Sequence, residues 1–342
     1  MFIDKDAYID YAMRFSAREE QLRDMFMDWL PEDIIDSHAH CNRSEDIQTF
    51  SPLIQNHMMS TFPSFNLEES KCIQQLFYPG KHIRTLRFCS AFKGINHRAV
   101  NQYLLDESPP EDRIALYGLP DGIDYTVAML QHNRVVGLKM YYLYFELPAK
   151  RIYEYFRPEI LEEAQARDIP IILHLPQKLL QCQDQLQTLL EDFPRLRVVI
   201  AHLGLYKILA DGLAECYAHF AHYDNMSMDT ALVTSSDVIH LALRTFGSDR
   251  ILFGSDEPLY LIRSRAYMHP TLGERLTTVY PYHWVNKEEQ KQFGHLANGA
   301  VHAQWEALSA LKKAIERYPQ RQRTDIKKRV FCDNARSIYG FE

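Results

Sequence analysis

Short apolar runs that end in polar residues alternate along the chain with stretches of helical periodicity. Eight runs read as strands: IIDSHAH (34–40), HIRTLRFCS (82–90), RIALYGL (113–119), VVGLKMYY (135–142), IPIILHL (169–175), LRVVIAHLG (196–204), YDNMSMDTA (223–231) and RILFGSDEP (250–258). Between several of them lie amphipathic segments such as PEILEEAQAR (158–167) and DVIHLALRTFG (237–247). Strand and helix taking turns in this way predicts a parallel sheet covered by helices. Polar residues gather at the C-terminal ends of the runs, which favours closure into a (β/α)8 TIM barrel. An open doubly wound sheet also binds ligands at its strand C-termini and stays the rival architecture.

Three stretches fall outside the alternation. Tyr8, Tyr11, Ala12, Phe15, Leu22, Met25, Phe26 and Trp29 recur at helical spacing over residues 5–29 and stop near Pro31, which predicts a helix within an N-terminal extension, 1–30. Residues 41–81 and 258–300 are too long for simple connections. Both follow strands, so they are expected over the barrel mouth as substrate-binding or lid elements. A barrel of this kind accommodates all 342 residues as one domain, 1–342.

Composition narrows the function classes. Hydrophobic residues at 46% and charged residues at 24% are those of an ordinary globular protein. A formal net charge of -7 without a dense Lys/Arg block argues against a nucleic-acid or anionic-membrane surface and leaves a small molecule as the expected partner. The six cysteines are scattered without a CxxC pair, as reduced thiols would be. Acidic residues near the N-terminus are unlike a signal peptide and no apolar run approaches a bilayer span, so a cytoplasmic location is expected.

The polar strand ends carry the candidate chemistry. His38 and His40 are two residues apart on one strand, so both imidazoles face the same side. His174, His202 and Asp256 each end an apolar run that should be buried. An unpartnered imidazole or carboxylate there costs on the order of a few kcal/mol, and a shared metal ion is one way to offset it. Any one of the 15 histidines is ordinarily a surface or satisfied core residue. Several placed at one rim of one barrel point to a metal site, with a structural His/Asp network as the alternative.

These residues, in IDSHAH, IILHL, AHLG and FGSDEP, together with the closing NARSIYGF, resemble the amidohydrolase superfamily, in particular its amidohydrolase-related branch of hydrolases and decarboxylases. The resemblance spans most of the chain. It implies that His38, His40, His174, His202 and Asp256 surround one or two divalent cations, Zn foremost, with Mn, Fe, Co or Ni also suited to the ligands. It makes Asp256 the proton-transfer residue as well as a ligand. Lys139, on the fourth strand, corresponds to a lysine that two-metal members carboxylate to bridge the cations. In one-metal members such a lysine would instead pair with a substrate carboxylate or a neighbouring acid. His202 follows that choice, binding a second metal or hydrogen-bonding water or substrate.

Around this centre Tyr141, Tyr142, Tyr144 and Phe145 follow the fourth strand as candidate walls for a planar substrate. Arg263 and Arg265 follow the eighth as candidate grips for a carboxylate. Glu257 should point away from Asp256, as a salt-bridging or loop residue rather than a catalytic one. The expected activity is metal-dependent hydrolysis of a C–N or C–O bond in a small organic molecule, with Asp256 as general base toward metal-activated water. A nonoxidative decarboxylase or hydratase on the same ligands is the alternative enzyme, and a non-catalytic metal-binding barrel the alternative class. The resemblance also implies a possible homo-oligomer.

Overall fold

The computed structural model describes residues 10–48, 64–91, 94–145, 147–279, 285 and 287–342. Eight parallel strands stand in chain order: β1 (Asp33–His40), β2 (His82–Phe88), β3 (Arg113–Tyr117), β4 (Val135–Met140), β5 (Ile171–Leu173), β6 (Val198–Ile200), β7 (Met226–Asp229) and β8 (Ile251–Leu252). Seven lie inside the runs read from sequence, and β1 begins one residue before its run, at Asp33. Backbone bonds from Ser37 N to Phe253 O (3.0 Å), Asp256 N to His38 O (2.8 Å) and His40 N to Glu257 O (2.7 Å) tie the last strand to the first. The result is the (β/α)8 barrel that the alternation predicts.

The helices α1 (Ala17–Trp29), α2 (Leu67–Phe77), α3 (His97–Glu107), α4 (Ile123–Met129), α5 (Pro158–Ala166), α6 (Leu179–Asp192), α7 (Leu213–Phe220) and α8 (Ser236–Phe246) follow in order, each from α2 onward returning the chain to the next strand. Several are set by local chemistry. Ser16 and Asn66 each close a capping box with a glutamate three residues on, Glu19 and Glu69, satisfying orphan N–H groups at the starts of α1 and α2. The first of these boxes corrects the helix expected over 5–29. A hydroxyl at Ser16 that accepts from Glu19 N starts a new helix there, so residues 10–13 form a separate turn, and 5–9 lie outside the described residues.

Both long connections contain more structure than loops. Residues 49–63 and 280–284 lie outside the described residues. Of the rest, α2 occupies the second half of 41–81. Segment 258–300 holds an antiparallel hairpin, β9 (Ser264–His269) with β10 (Gly273–Thr278), and α9 (Lys287–Phe293). The outer ring closes with α10 (Ala303–Glu316), followed by α11 (Gln320–Lys328) and, after one π-helical turn, α12 (Asn334–Tyr339).

This last segment plugs the barrel floor. Ile35, Leu86, Ala115, Ile172, Val199 and Leu252 project into the barrel and pack with Cys332, Ala335, Tyr339 and Phe341. Asn334 Nδ2 donates to Ser248 O and Ile251 O at the start of β8, both at 2.7 Å. Arg197, at the start of β6, donates to Ile338 O at 2.9 Å, and Arg113, opening β3, to Gly340 O at 3.2 Å. Gly340, at φ 65°, supplies the left-handed residue that ends α12. With apolar layers and a plug filling its lower half, the barrel keeps its polar strand ends for the opposite face.

Candidate metal centre

His38 and His40 leave β1 on the same side, with ring centroids 5.5 Å apart. The end of β8 brings Asp256 between them: Oδ1 lies 3.5 Å from His38 Nε2 and 3.3 Å from His40 Nε2. One donor atom from each of the three falls within 4.8 Å of the others, the separation that ligands to a single ion require. His202, just past the end of β6, sets its ring 4.9 Å from His38 at a tilt of 43°, and His174, following β5, lies edge-on at 5.1 Å from His202. Lys139 projects from β4 into the same space, fully buried, with Nζ 5.2 Å above the Phe88 ring and no hydrogen-bond partner among the described residues. Tyr141 closes that side, its ring 4.6 Å from His174. Sequence-predicted residues from five strands therefore meet at one end of the barrel.

The four imidazoles share an orientation. Nδ1 of His40 lies 3.2 Å from Cys89 O, that of His174 2.9 Å from Leu175 O, and that of His202 2.8 Å from Ala231 O. Nδ1 of His38 lies 2.8 Å from a carboxylate oxygen of Asp229. Each of these partners only accepts, so each Nδ1 must carry the hydrogen and each Nε2 is left with its lone pair. Burial lowers the pKa of His38, His174 and His202, which keeps those lone pairs free. His38 Nε2 and Asp256 Oδ1 are both buried without a hydrogen-bond partner among the described residues. Burial alone would raise the Asp256 carboxyl, and it takes positive charge among the surrounding donors to hold it well below the ordinary carboxylate range. Burial pulls the Lys139 ammonium down to about 8 against the pull of Asp229 and Asp256. Unanswered lone pairs converging beside an ionised carboxylate fit a divalent cation.

Backbone conformation at the site is unusual. His202 (φ 57°) and Asp256 (φ 61°) both occupy the left-handed region, at a cost on the order of 1–3 kcal/mol each. Gly254 is required by its neighbour: a Cβ there would come within 2.8 Å of His38 Cβ, displacing the ring. The glycine of FGSDEP thus makes room for the histidine of β1.

Two residues change the picture drawn from sequence. Asp229, the last residue of β7, was assigned no role, yet it is fully buried, accepts from His202 N at 2.8 Å, and meets His38. Its place at a strand end, like that of Asp256, was the available signal. Arg263 is the opposite case. Instead of facing the mouth it donates to both carboxylate oxygens of Glu19 at 2.9 Å and to Arg14 O at 2.8 Å, binding the N-terminal helix to the barrel. Arg265 donates to Leu296 O at 3.5 Å. Glu257 faces away from Asp256 into an ion cluster with Arg87. A cleft of about 450 Å³, lined among others by Lys207, Leu232, Ser235, Arg265 and Leu276, lies among the loops after β6, β7 and β8. None of the candidate ligands lines it.

Comparison with known proteins assigns the chain to a family. A family model described as amidohydrolase matches residues 85–341, three quarters of the chain. The chain belongs to this amidohydrolase family. The matched segment carries Lys139, His174, His202, Asp229 and Asp256, while β1 with its two histidines precedes it. No curated protein matches the chain significantly. Similar solved structures include amidohydrolase 2 from Bifidobacterium longum subsp. infantis, at 13% identity and TM-score 0.56, covering 91% of this chain and 100% of that one. An amidohydrolase from Burkholderia multivorans with bound zinc aligns at 12% identity and TM-score 0.57, covering 90% and 99%. The 5-carboxyvanillate decarboxylase of Sphingomonas paucimobilis aligns at 11% and 0.54, covering 91% and 100%. The family and these neighbours are enzymes, hydrolases and a decarboxylase among them, and at such identities the structural likeness carries the fold. Among the described residues no helix is long and apolar enough to cross a membrane.

Proposed function

We propose that the protein is a metal-dependent hydrolase of a C–N or C–O bond in a small organic molecule, with one divalent cation held by His38, His40 and Asp256. The observation that carries the reading is the convergence of three donors within 4.8 Å while every neighbouring imidazole turns its lone pair inward. A bound cation would supply Lewis acidity, polarising the scissile group and lowering the pKa of water beside it toward about 7. Asp256, ionised and rigidly placed, takes the proton that this water loses. His174 and His202 border the open side of the donor group, where His174 extends the ligand set and His202 hydrogen-bonds water or substrate through Nε2. Tyr141 walls the substrate. The bound zinc of the Burkholderia neighbour supports zinc as the first ion to try.

A second reading, nonoxidative decarboxylation, is favoured by Lys139. A buried, unpartnered ammonium close to a one-ion donor group suits a substrate carboxylate, and the Sphingomonas neighbour is a decarboxylase. Metal-free protein reconstituted with Zn or Mn, then screened against lactones, amides and aromatic carboxylates, separates the readings. Product acid from a lactone or amide supports hydrolysis, and carbon dioxide from an aromatic acid supports the second. Full activity without metal would refute both.

A further inference from the structure

Asp229 sits one ring-width behind the proposed ligand set and touches both a member of it, His38, and the neighbouring His202. One carboxylate oxygen lies 2.8 Å from His38 Nδ1. The other accepts from His202 N at 2.8 Å and from Ala231 N at 3.1 Å. The side chain is fully buried, and no Lys or Arg forms a salt bridge with it among the described residues. A carboxylate withdrawn from water and answered by backbone N–H groups and a neutral ring is costly unless a positive charge lies nearby.

We propose that Asp229 is a positioning residue for the metal: it fixes the His38 ring with its hydrogen on Nδ1 and its lone pair on Nε2, and anchors His202 beside it. The inference rests on the one-cation reading above and extends it to a residue outside the ligand set. Geometry separates it from a purely structural role. Asp229 reaches from β7 past β8 to β1, while it caps the left-handed turn at His202 with its other oxygen. In Asp229→Asn the amide oxygen can still accept from His202 N and Ala231 N. The NH₂ group must then face His38 Nδ1, which pushes the imidazole hydrogen to Nε2, into the donor cluster.

The test is zinc titration of metal-free wild-type protein and of the Asp229→Asn variant, with thermal unfolding of both metal-free forms and ¹⁵N NMR of the histidine rings. We expect about 10- to 100-fold weaker zinc binding in the variant, the usual effect of losing such an outer partner. His38 should be the Nδ1–H form in the wild type and the Nε2–H form in the variant. Wild-type zinc affinity in the variant would overturn the assignment even if its stability fell. If the variant does not fold, the wild-type spectrum still decides, since an Nε2–H form of His38 there would overturn it. Failure of wild-type protein to bind zinc or manganese would instead remove the one-cation reading itself, and this inference with it.

Discussion

Asp256 and Glu257 are chain neighbours at the end of one strand, both buried, and they enter two opposite kinds of polar cluster. Glu257 points outward from the barrel. Its Oε2 accepts from Ser70 Oγ at 2.5 Å and lies 3.5 Å from Arg87 Nη1, and its Oε1 accepts from Tyr260 OH at 3.3 Å. Arg87 in turn donates to Asp112 at 2.6 Å, and Asp112 accepts from Thr85 N at 2.8 Å. There every charge has its answer. On the inner face Asp256 Oδ1, His38 Nε2 and Lys139 Nζ are buried without hydrogen-bond partners among the described residues. Evolution of a stable fold explains the first cluster, because burying ions requires paired geometry. The second leaves its donors unanswered at a cost that the apolar core of the barrel carries, and that asymmetry is the argument for a metal.

The comparison breaks first at Asp256. Asp256→Asn keeps the volume and removes both the charge and the base, so turnover of the metal-loaded enzyme should fall by about 10²–10⁴-fold, as for loss of a general base. Thermal unfolding of the metal-free protein should change little, because the inner cluster adds no closed ion pair to the fold. An unchanged rate would remove Asp256 from the chemistry. His38→Asn and His40→Asn extend the test: metal content, read by atomic emission, should drop to background while circular dichroism keeps the barrel spectrum, since apolar strand residues supply the core.

Arg87→Met breaks the outer cluster, with the reverse signature. It strands two buried carboxylates, Asp112 and Glu257, and should cost about 3–5 kcal/mol of stability by urea unfolding. Turnover of the folded fraction should stay near wild type. Equal losses in rate and stability would mean that the outer cluster also sets the position of Asp256, and the division drawn between the two faces would fail.

That division was partly legible in the chain. A histidine or aspartate ending an apolar run advertises its own cost of burial, which is why His38, His40, His174, His202 and Asp256 stood out, and period two sent Glu257 to the other face. Asp229 did not stand out because its strand, MSMD after an Asp-Asn turn, is polar enough to hide one more acid. Arg263 misled because its partner, Glu19, lies 244 residues earlier and no local pattern reports such a contact. NARSIYGF was readable as a signature, whereas its reason, an asparagine locking β8 and a glycine-capped helix sealing the floor, needed the fold. The hairpin of β9 and β10 was hidden within a long segment whose alternation is weak.

Glu19 offers the smallest test and a third kind of cluster, one that holds an added element to the barrel. Its carboxylate meets Arg263 at 2.9 Å, His302 Nδ1 at 2.6 Å and accepts from His302 N at 3.0 Å. Burial opposes ionisation there, but the His302 and Arg263 contacts hold Glu19 well below its ordinary value of 4.5. Because the folded-state value is depressed, the stabilisation is fully present above 4.5 and is lost as pH falls below it. Burial lowers the pKa of His302 against the pull of Glu19, so that group's contribution also declines as pH falls below 6.5. Glu19→Gln should therefore cost about 1–3 kcal/mol at pH 7, the range for an imperfectly satisfied buried contact. Urea unfolding at pH 7 and pH 4 should show the gap between the two proteins narrowing at the lower pH. A gap that stays constant would mean that Glu19 acts by packing rather than by charge, and that α1 is held to the barrel by its apolar face, with Phe26 stacked on Trp305.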